Sequence, residues 1–135
     1  MIVDDKLAEY KDNIEALQLI DKLEVYRWMI SLGKKLQENP LSEEKRIDGN
    51  RVSRCQFSLF VDWEDDKFKA WSDAMIASGY AYILLDVFNS SPIEEAKQIT
   101  TDHFKKIHLD QLLTMNRQNG FFQMIEMMMT RIQAV

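Results

Sequence analysis

The chain carries one cysteine, Cys55, in the run Arg51-Val52-Ser53-Arg54-Cys55-Gln56, and no other residue stands where its type and spacing suggest reactivity. The run lies between a polar turn and an alternating, strand-like segment. A thiol just outside a packed strand can be presented to another protein, whereas one inside a hydrophobic run is inert filling. Two readings therefore stand side by side. A free cysteine is among the most buried residue types, which favours a structural thiol. Arg51 and Arg54 flank it, and cationic neighbours favour the nucleophilic thiolate, although closeness in sequence does not fix where the arginines point.

The remaining chemistry-bearing residues carry less. His103 and His108 have no metal-binding spacing to Cys55 and lie in a charged helical stretch, so they read as structural or surface residues and no metal site is assigned. Met124, Met127, Met128 and Met129 resemble a soft-metal box, but two of them fall on an apolar helical stripe, where methionine fills gaps. Ser31-Leu32-Gly33-Lys34 spells the Ser-x-x-Lys of some hydrolases without its companion motifs. Asn119-Gly120 could mark a hairpin, yet the stripe after it places it in a helix.

The elements that must position Cys55 follow from periodicity. Residues 4–20 read as a helix with Leu7, Tyr10, Ile14, Leu17 and Leu19 apolar among charges, and residues 21–36 as a second with Val25, Trp28, Met29 and Leu32. Asn39-Pro40 and the charged run Ser42 to Arg46 break the pattern as a solvated connector, and Asp48-Gly49-Asn50 supplies a turn. From Cys55 the period changes to two, with Cys55, Phe57, Leu59, Val61 and Trp63 on one face. An acidic turn at Glu64-Asp65-Asp66 and a second alternation at Lys67 to Trp71 predict an antiparallel hairpin, with a third short strand near Arg51. Ser72-Asp73 is expected to open a core helix, and two short helical segments lead to a last helix striped by Phe121, Met124, Ile125, Met128 and Ile132. Helices, a small antiparallel sheet and further helices make an α+β fold.

Composition bounds the rest. At 135 residues, 46% hydrophobic and 29% charged, the chain suits a single domain, residues 1–135, stable without disulfides or metals. A net charge of −5 with scattered basic residues disfavours nucleic acid. The longest apolar stretch, near Tyr80 to Leu85, is far short of the roughly 20 residues that cross a bilayer. The lone cysteine and a start without signal-peptide character lead to the expectation of a reducing, cytoplasmic compartment.

Four ordered motifs resemble the SufE-like cysteine desulfuration proteins. They are Leu32 to Leu36 ending a helix before a Pro-Leu connector, Asn50-Arg51-Val52-Ser53-Arg54-Cys55-Gln56, Ser72-Asp73-Ala74, and Arg117-Gln118-Asn119-Gly120, spread over residues 21–133. The resemblance implies a SufE/IscU-like fold, a small antiparallel sheet of about three strands with helices packed on one side. It implies that Cys55 accepts sulfane sulfur from the persulfide of a pyridoxal-phosphate cysteine desulfurase (SufS-like), stimulates that enzyme and delivers sulfur to an iron-sulfur assembly scaffold (SufBCD-like). No cofactor of its own is expected beyond a transient persulfide, and the protein is a carrier more than a stand-alone enzyme. Arg54, Gln56, Asp73 and Arg117 support the cysteine loop by the same resemblance, Asp73 and Arg117 as residues that hold its resting position. The sequence departs from the family at Ser53-Arg54, where a Pro-Gly or similar small pair is usual, and at Trp71, which replaces an aspartate. The competing readings are an interaction module that regulates a desulfurase without carrying sulfur, and a structural domain with an inert cysteine.

Overall fold

A computed structural model describes residues 2–135. Helix α1, Ile2–Ile20, exists because Val3, Leu7, Tyr10 and Ile14 recur at helical steps and are all buried. Leu19, expected on that stripe, is 88% exposed. Two residues beyond Leu17 amount to about 200° around a helix, so Leu19 points away from the body. Asp21 ends α1 and caps α2, Lys22–Leu36, by accepting the Leu23 amide at 3.1 Å. Val25, Met29, Leu32 and Leu36 form the buried face of α2.

The connector after α2 contains two one-turn 3-10 segments, Glu43–Lys45 and Asp48–Asn50, and is tied down more firmly than a solvated run implies. Leu41 is fully buried and its amide bonds Ala70 O at 3.0 Å, while Ser42 donates its hydroxyl to Glu64 at 2.6 Å. Strands β1, Leu59–Glu64, and β2, Lys67–Ser72, pair antiparallel from Leu59↔Ser72 to Glu64↔Lys67. Asp65 and Asp66 both take positive φ, 57° and 62°, which matches the turn twist to the strands in a two-residue hairpin. Leu59, Val61 and Trp63 face Ser72, Ala70 and Phe68 across the ladder, and Trp63 packs edge-on against Phe68.

Two details of the sheet differ from expectation. The third strand reduces to a single bridge, Arg51 to Phe60, leaving a sheet of two strands. Strand β1 begins at Leu59 rather than at Cys55, because residues 52–55 close a turn and Ser58 is held by Ser72 and Asp73. Phe57 consequently lies 48% exposed instead of on the inner face.

Helix α3, Met75–Asn89, is the centre of the molecule, with Tyr80, Ala81, Ile83, Leu84 and Val87 fully buried. It starts three residues later than Ser72, since Ser72 still pairs in the ladder, and the Ala74 N-cap position has no side-chain cap. Short helices α4, Ile93–Ala96, and α5, Thr101–Lys105, and a 3-10 turn at Leu109–Leu112 follow. His103 caps α5 locally by accepting the Thr100 amide at 3.0 Å. The last helix, α6, Met115–Ile132, buries all five residues of its expected stripe, together with Gly120. The sheet packs against α3 and α6, which also touch each other, and Phe68, Phe88 and Phe104 chain sheet and helices into one core. The architecture is α+β, with six helices and a small antiparallel sheet among the described residues.

Candidate functional site

Residues 51–58 form the loop that enters β1, and its backbone bonds put Cys55 over the core. The Val52 amide donates to Leu59 O at 2.8 Å, as part of the Arg51–Phe60 bridge, and the Cys55 amide turns back to Val52 O at 3.0 Å. Val52 is fully buried as the loop's apolar anchor, while Ser53, Arg54, Gln56 and Phe57 are exposed. Cys55 itself is 9% exposed, so the thiol faces inward in this state.

The loop is clamped at both ends. On one side Asp73 accepts the Ser58 amide at 3.0 Å and returns its own amide to Ser58 O at 3.3 Å, while the Ser72 hydroxyl donates to the same carbonyl at 2.7 Å. On the other side Gln123 of α6 accepts the Arg54 amide at 2.6 Å and donates to the Ser53 hydroxyl at 2.9 Å.

Cys55 opens into a cavity of about 570 Å³ whose walls include Ile30, Phe57, Ala77, Tyr80 and Arg117. At its floor the fully buried Tyr80 hydroxyl donates to Cys55 Sγ at 3.8 Å, within reach for a sulfur acceptor. Burial, then the neighbouring Cys55 sulfur, pushes the Tyr80 phenol above its usual value, and the Arg117 charge opposes this only in part. The phenol therefore stays protonated and remains a donor. Gly120 on α6 makes the arrangement possible: a Cβ there would lie 2.8 Å from the Tyr80 hydroxyl oxygen and 3.2 Å from Cys55 Cβ. A thiol with a fixed hydrogen-bond donor, a nearby guanidinium and adjoining empty volume can hold an anionic sulfur and an atom added to it.

The residues singled out from sequence separate into two groups. Gln56, Asp73 and Arg117 line the Cys55 cavity. Arg54 does not: its side chain lines a second cavity of about 410 Å³ with Asp62, Glu126 and Arg131, so the arginine beside the thiol in sequence is not its neighbour in this cavity. Asp73 bonds the loop directly, whereas Arg117 shares the cavity with no hydrogen bond to the loop and stacks 5.9 Å from the Tyr26 ring. Sequence reasoning missed Tyr80, Gly120 and Gln123. Tyr80 read as one more core residue of α3, although a tyrosine on an apolar helical face needs a partner for its hydroxyl, and that was the available signal. Gly120 stands in a sequence motif whose spelling does not carry its physical reason, and nothing local marks Gln123.

Comparison with known proteins gives the family. The family model described as SufE, an Fe-S metabolism associated domain, matches residues 11–132. An uncharacterized SufE-like protein of Synechocystis is 32% identical over 110 residues, covering 78% of this chain and 68% of its own. One from Rhizobium meliloti is 36% identical, covering 74% and 76%. The cysteine desulfuration protein SufE of Plasmodium vivax is 30% identical over 74% of this chain and 42% of its own length. With the matched segment spanning every element that builds the Cys55 cavity, the chain belongs to the SufE family.

Proposed function

We propose that this protein is a sulfur acceptor that takes sulfane sulfur from a cysteine desulfurase onto Cys55 and hands it on for iron-sulfur cluster assembly. The observation that carries the reading is the placement of the one cysteine: Cys55 is tucked over a cavity with unfilled volume, on a loop held at its ends by a few hydrogen bonds. Family membership and the desulfuration named for the Plasmodium vivax relative support it. The chemistry is thiol exchange. The Cys55 thiolate attacks the outer sulfur of the donor persulfide and a new S–S bond forms at Cys55. The donor's S–S bond breaks, its cysteine leaves as a thiolate, and the transferred sulfur keeps its proton. No external oxidant or reductant enters. The pyridoxal phosphate belongs to the desulfurase, the carrier needs no cofactor of its own, and a second thiol exchange passes the sulfur to an assembly scaffold.

For donor and acceptor sulfurs to meet, the loop must leave its inward position. Docking would exchange the Asp73 and Gln123 bonds for contacts with the partner, and the return of the loop would shelter the persulfide from water and oxidants. A reducing compartment such as the cytoplasm keeps the lone acceptor thiol reduced between transfers, and the closed loop keeps cellular thiols from the loaded persulfide. Among the described residues no helix is long and apolar enough to cross a membrane.

The test is intact mass after anaerobic incubation with a cysteine desulfurase and cysteine, beside a Cys55→Ser variant. The expected result is a gain of one sulfur on the wild type alone, reversed by dithiothreitol, which does not reverse a sulfinic acid of nearly equal mass. Desulfurase stimulation should vanish with Cys55→Ser. Stimulation that survives the substitution would instead establish a regulatory module that carries no sulfur.

A further inference from the structure

We infer that the Tyr80 hydroxyl is the hydrogen-bond donor that holds the Cys55 sulfur in its cavity, and that it holds the persulfide more strongly than the thiol. Tyr80 is 0% exposed, and among the described residues Cys55 Sγ is the one hydrogen-bond partner of its hydroxyl, at 3.8 Å. A buried hydroxyl is normally matched to a good acceptor, and a neutral thiol is a poor one. An anionic sulfur is a good one. A hydropersulfide gives up its proton more readily than a thiol does, so loading increases the negative charge offered to this donor. Hydrogen bonds to a charged partner are roughly twice as strong as those between neutral groups.

The surrounding geometry points the same way. Gly120 leaves space for the hydroxyl and the cysteine to meet, since any larger residue would place its Cβ 2.8 Å from the Tyr80 oxygen. Phe121 packs edge-on against the Tyr80 ring at 5.6 Å, fixing where the hydroxyl points. The cavity also holds the Arg117 side chain and the Asp73 carboxylate, of opposite sign, so charge in the cavity is balanced and the neutral phenol supplies a directed donor. Tyr80 thus touches the reacting sulfur. It keeps its own proton throughout, and its part is to make the loaded loop close more firmly than the empty one.

This inference deepens the sulfur-acceptor reading, and its test uses chemical loading that needs no desulfurase. Wild type and Tyr80→Phe are loaded with inorganic polysulfide: the Cys55 thiolate takes one sulfur atom, giving the Cys55 persulfide anion and a polysulfide dianion one sulfur shorter. After anaerobic desalting, loaded and unloaded proteins are challenged with iodoacetamide and followed by intact mass. In Tyr80→Phe the persulfide should be captured about tenfold faster than in wild type, and the unloaded thiol about threefold faster, as expected for a charge-assisted bond against a neutral one. Tyr80→Met, which fills the space without a hydroxyl, should behave alike. Equal persulfide capture in wild type and Tyr80→Phe overturns the inference. So does an equal acceleration of persulfide and thiol, the signature of loosened packing alone. A protein that shows the predicted difference yet gains no sulfur from any desulfurase would overturn the acceptor reading and leave the role of Tyr80 standing.

Discussion

Gln123 does for the outer side of the cysteine loop what Asp73 does for the inner side, and the two act through different atoms. Gln123 satisfies the Arg54 amide and the Ser53 hydroxyl, while Asp73 satisfies the Ser58 amide. All three bonds lie near solvent, so each contributes about 1 kcal/mol or less to the closed loop, because water replaces much of what is lost. That is enough to alter how often the loop opens and too little to unfold the protein. Gln123→Ala and Asp73→Ala should each speed the reaction of Cys55 with a thiol reagent about threefold in the isolated protein, and the double variant by about the product, since the two side chains share no partner. Arg117→Ala should leave this resting rate near wild type, because its side chain makes no hydrogen bond to the loop. A resting rate unchanged in Gln123→Ala would show that apolar burial of Val52 and Cys55 alone keeps the loop shut. The Ser53-Arg54 pair gains meaning here: Ser53 provides a hydroxyl that Gln123 can hold, where a small apolar residue would provide none.

At the scale of elements, the loop stands on α3, and α3 stands on α2 through a contact that only glycine permits. A Cβ at Gly79 would lie 2.3 Å from Met29 O, a backbone atom in the middle of α2 that cannot turn aside. Gly79→Ala must therefore push the two helices apart, at a cost of about 3 kcal/mol or more. At Gly49 an added Cβ meets nothing within 4 Å, so Gly49→Ala should leave stability close to wild type. Urea unfolding decides it: the midpoint should fall sharply for Gly79→Ala and barely for Gly49→Ala. The helices themselves were legible, because buried residues such as Val25, Met29 and Leu32, or Met124, Ile125 and Met128, repeat at three- and four-residue steps. The hairpin was legible from alternation and its acidic turn. The loop was not. Alternation beginning at Cys55 mimics a strand, and nothing in the local pattern shows that Asp73 will capture Ser58 and end the strand at Leu59. Gly79 had the same difficulty, since its reason for being glycine lies on another helix.

Over the whole molecule, Asp62 joins the parts that flank the site. Its carboxylate accepts Arg131 Nε of α6 at 2.9 Å and the Asn50 amide of the connector at 3.2 Å, and Lys45 lies 3.5 Å away. Strand β1 and helix α6 both hold the cysteine loop, through Leu59 and Gln123, so this carboxylate braces part of the frame in which the loop opens. Burial alone would raise the Asp62 carboxyl, but the hydrogen bonds from Arg131 and the Trp63 amide, with the Lys45 charge, outweigh it and hold the group below the ordinary carboxylate range. A carboxyl lowered in the folded state adds stability that is fully present above its unfolded value of about 3.9 and is lost as pH falls through its folded value. Wild type should therefore be more stable than Asp62→Asn at pH 7, and the gap should close progressively below about pH 4, as protonation removes from wild type the charge that the variant already lacks. Arg131 is 42% exposed, so added salt should narrow the gap at pH 7 as well. Thermal unfolding of the two proteins from pH 7 to pH 2 checks this. Parallel curves across the whole range would mean that the Asp62 charge contributes nothing, and that β1 and α6 are joined by their apolar contacts alone.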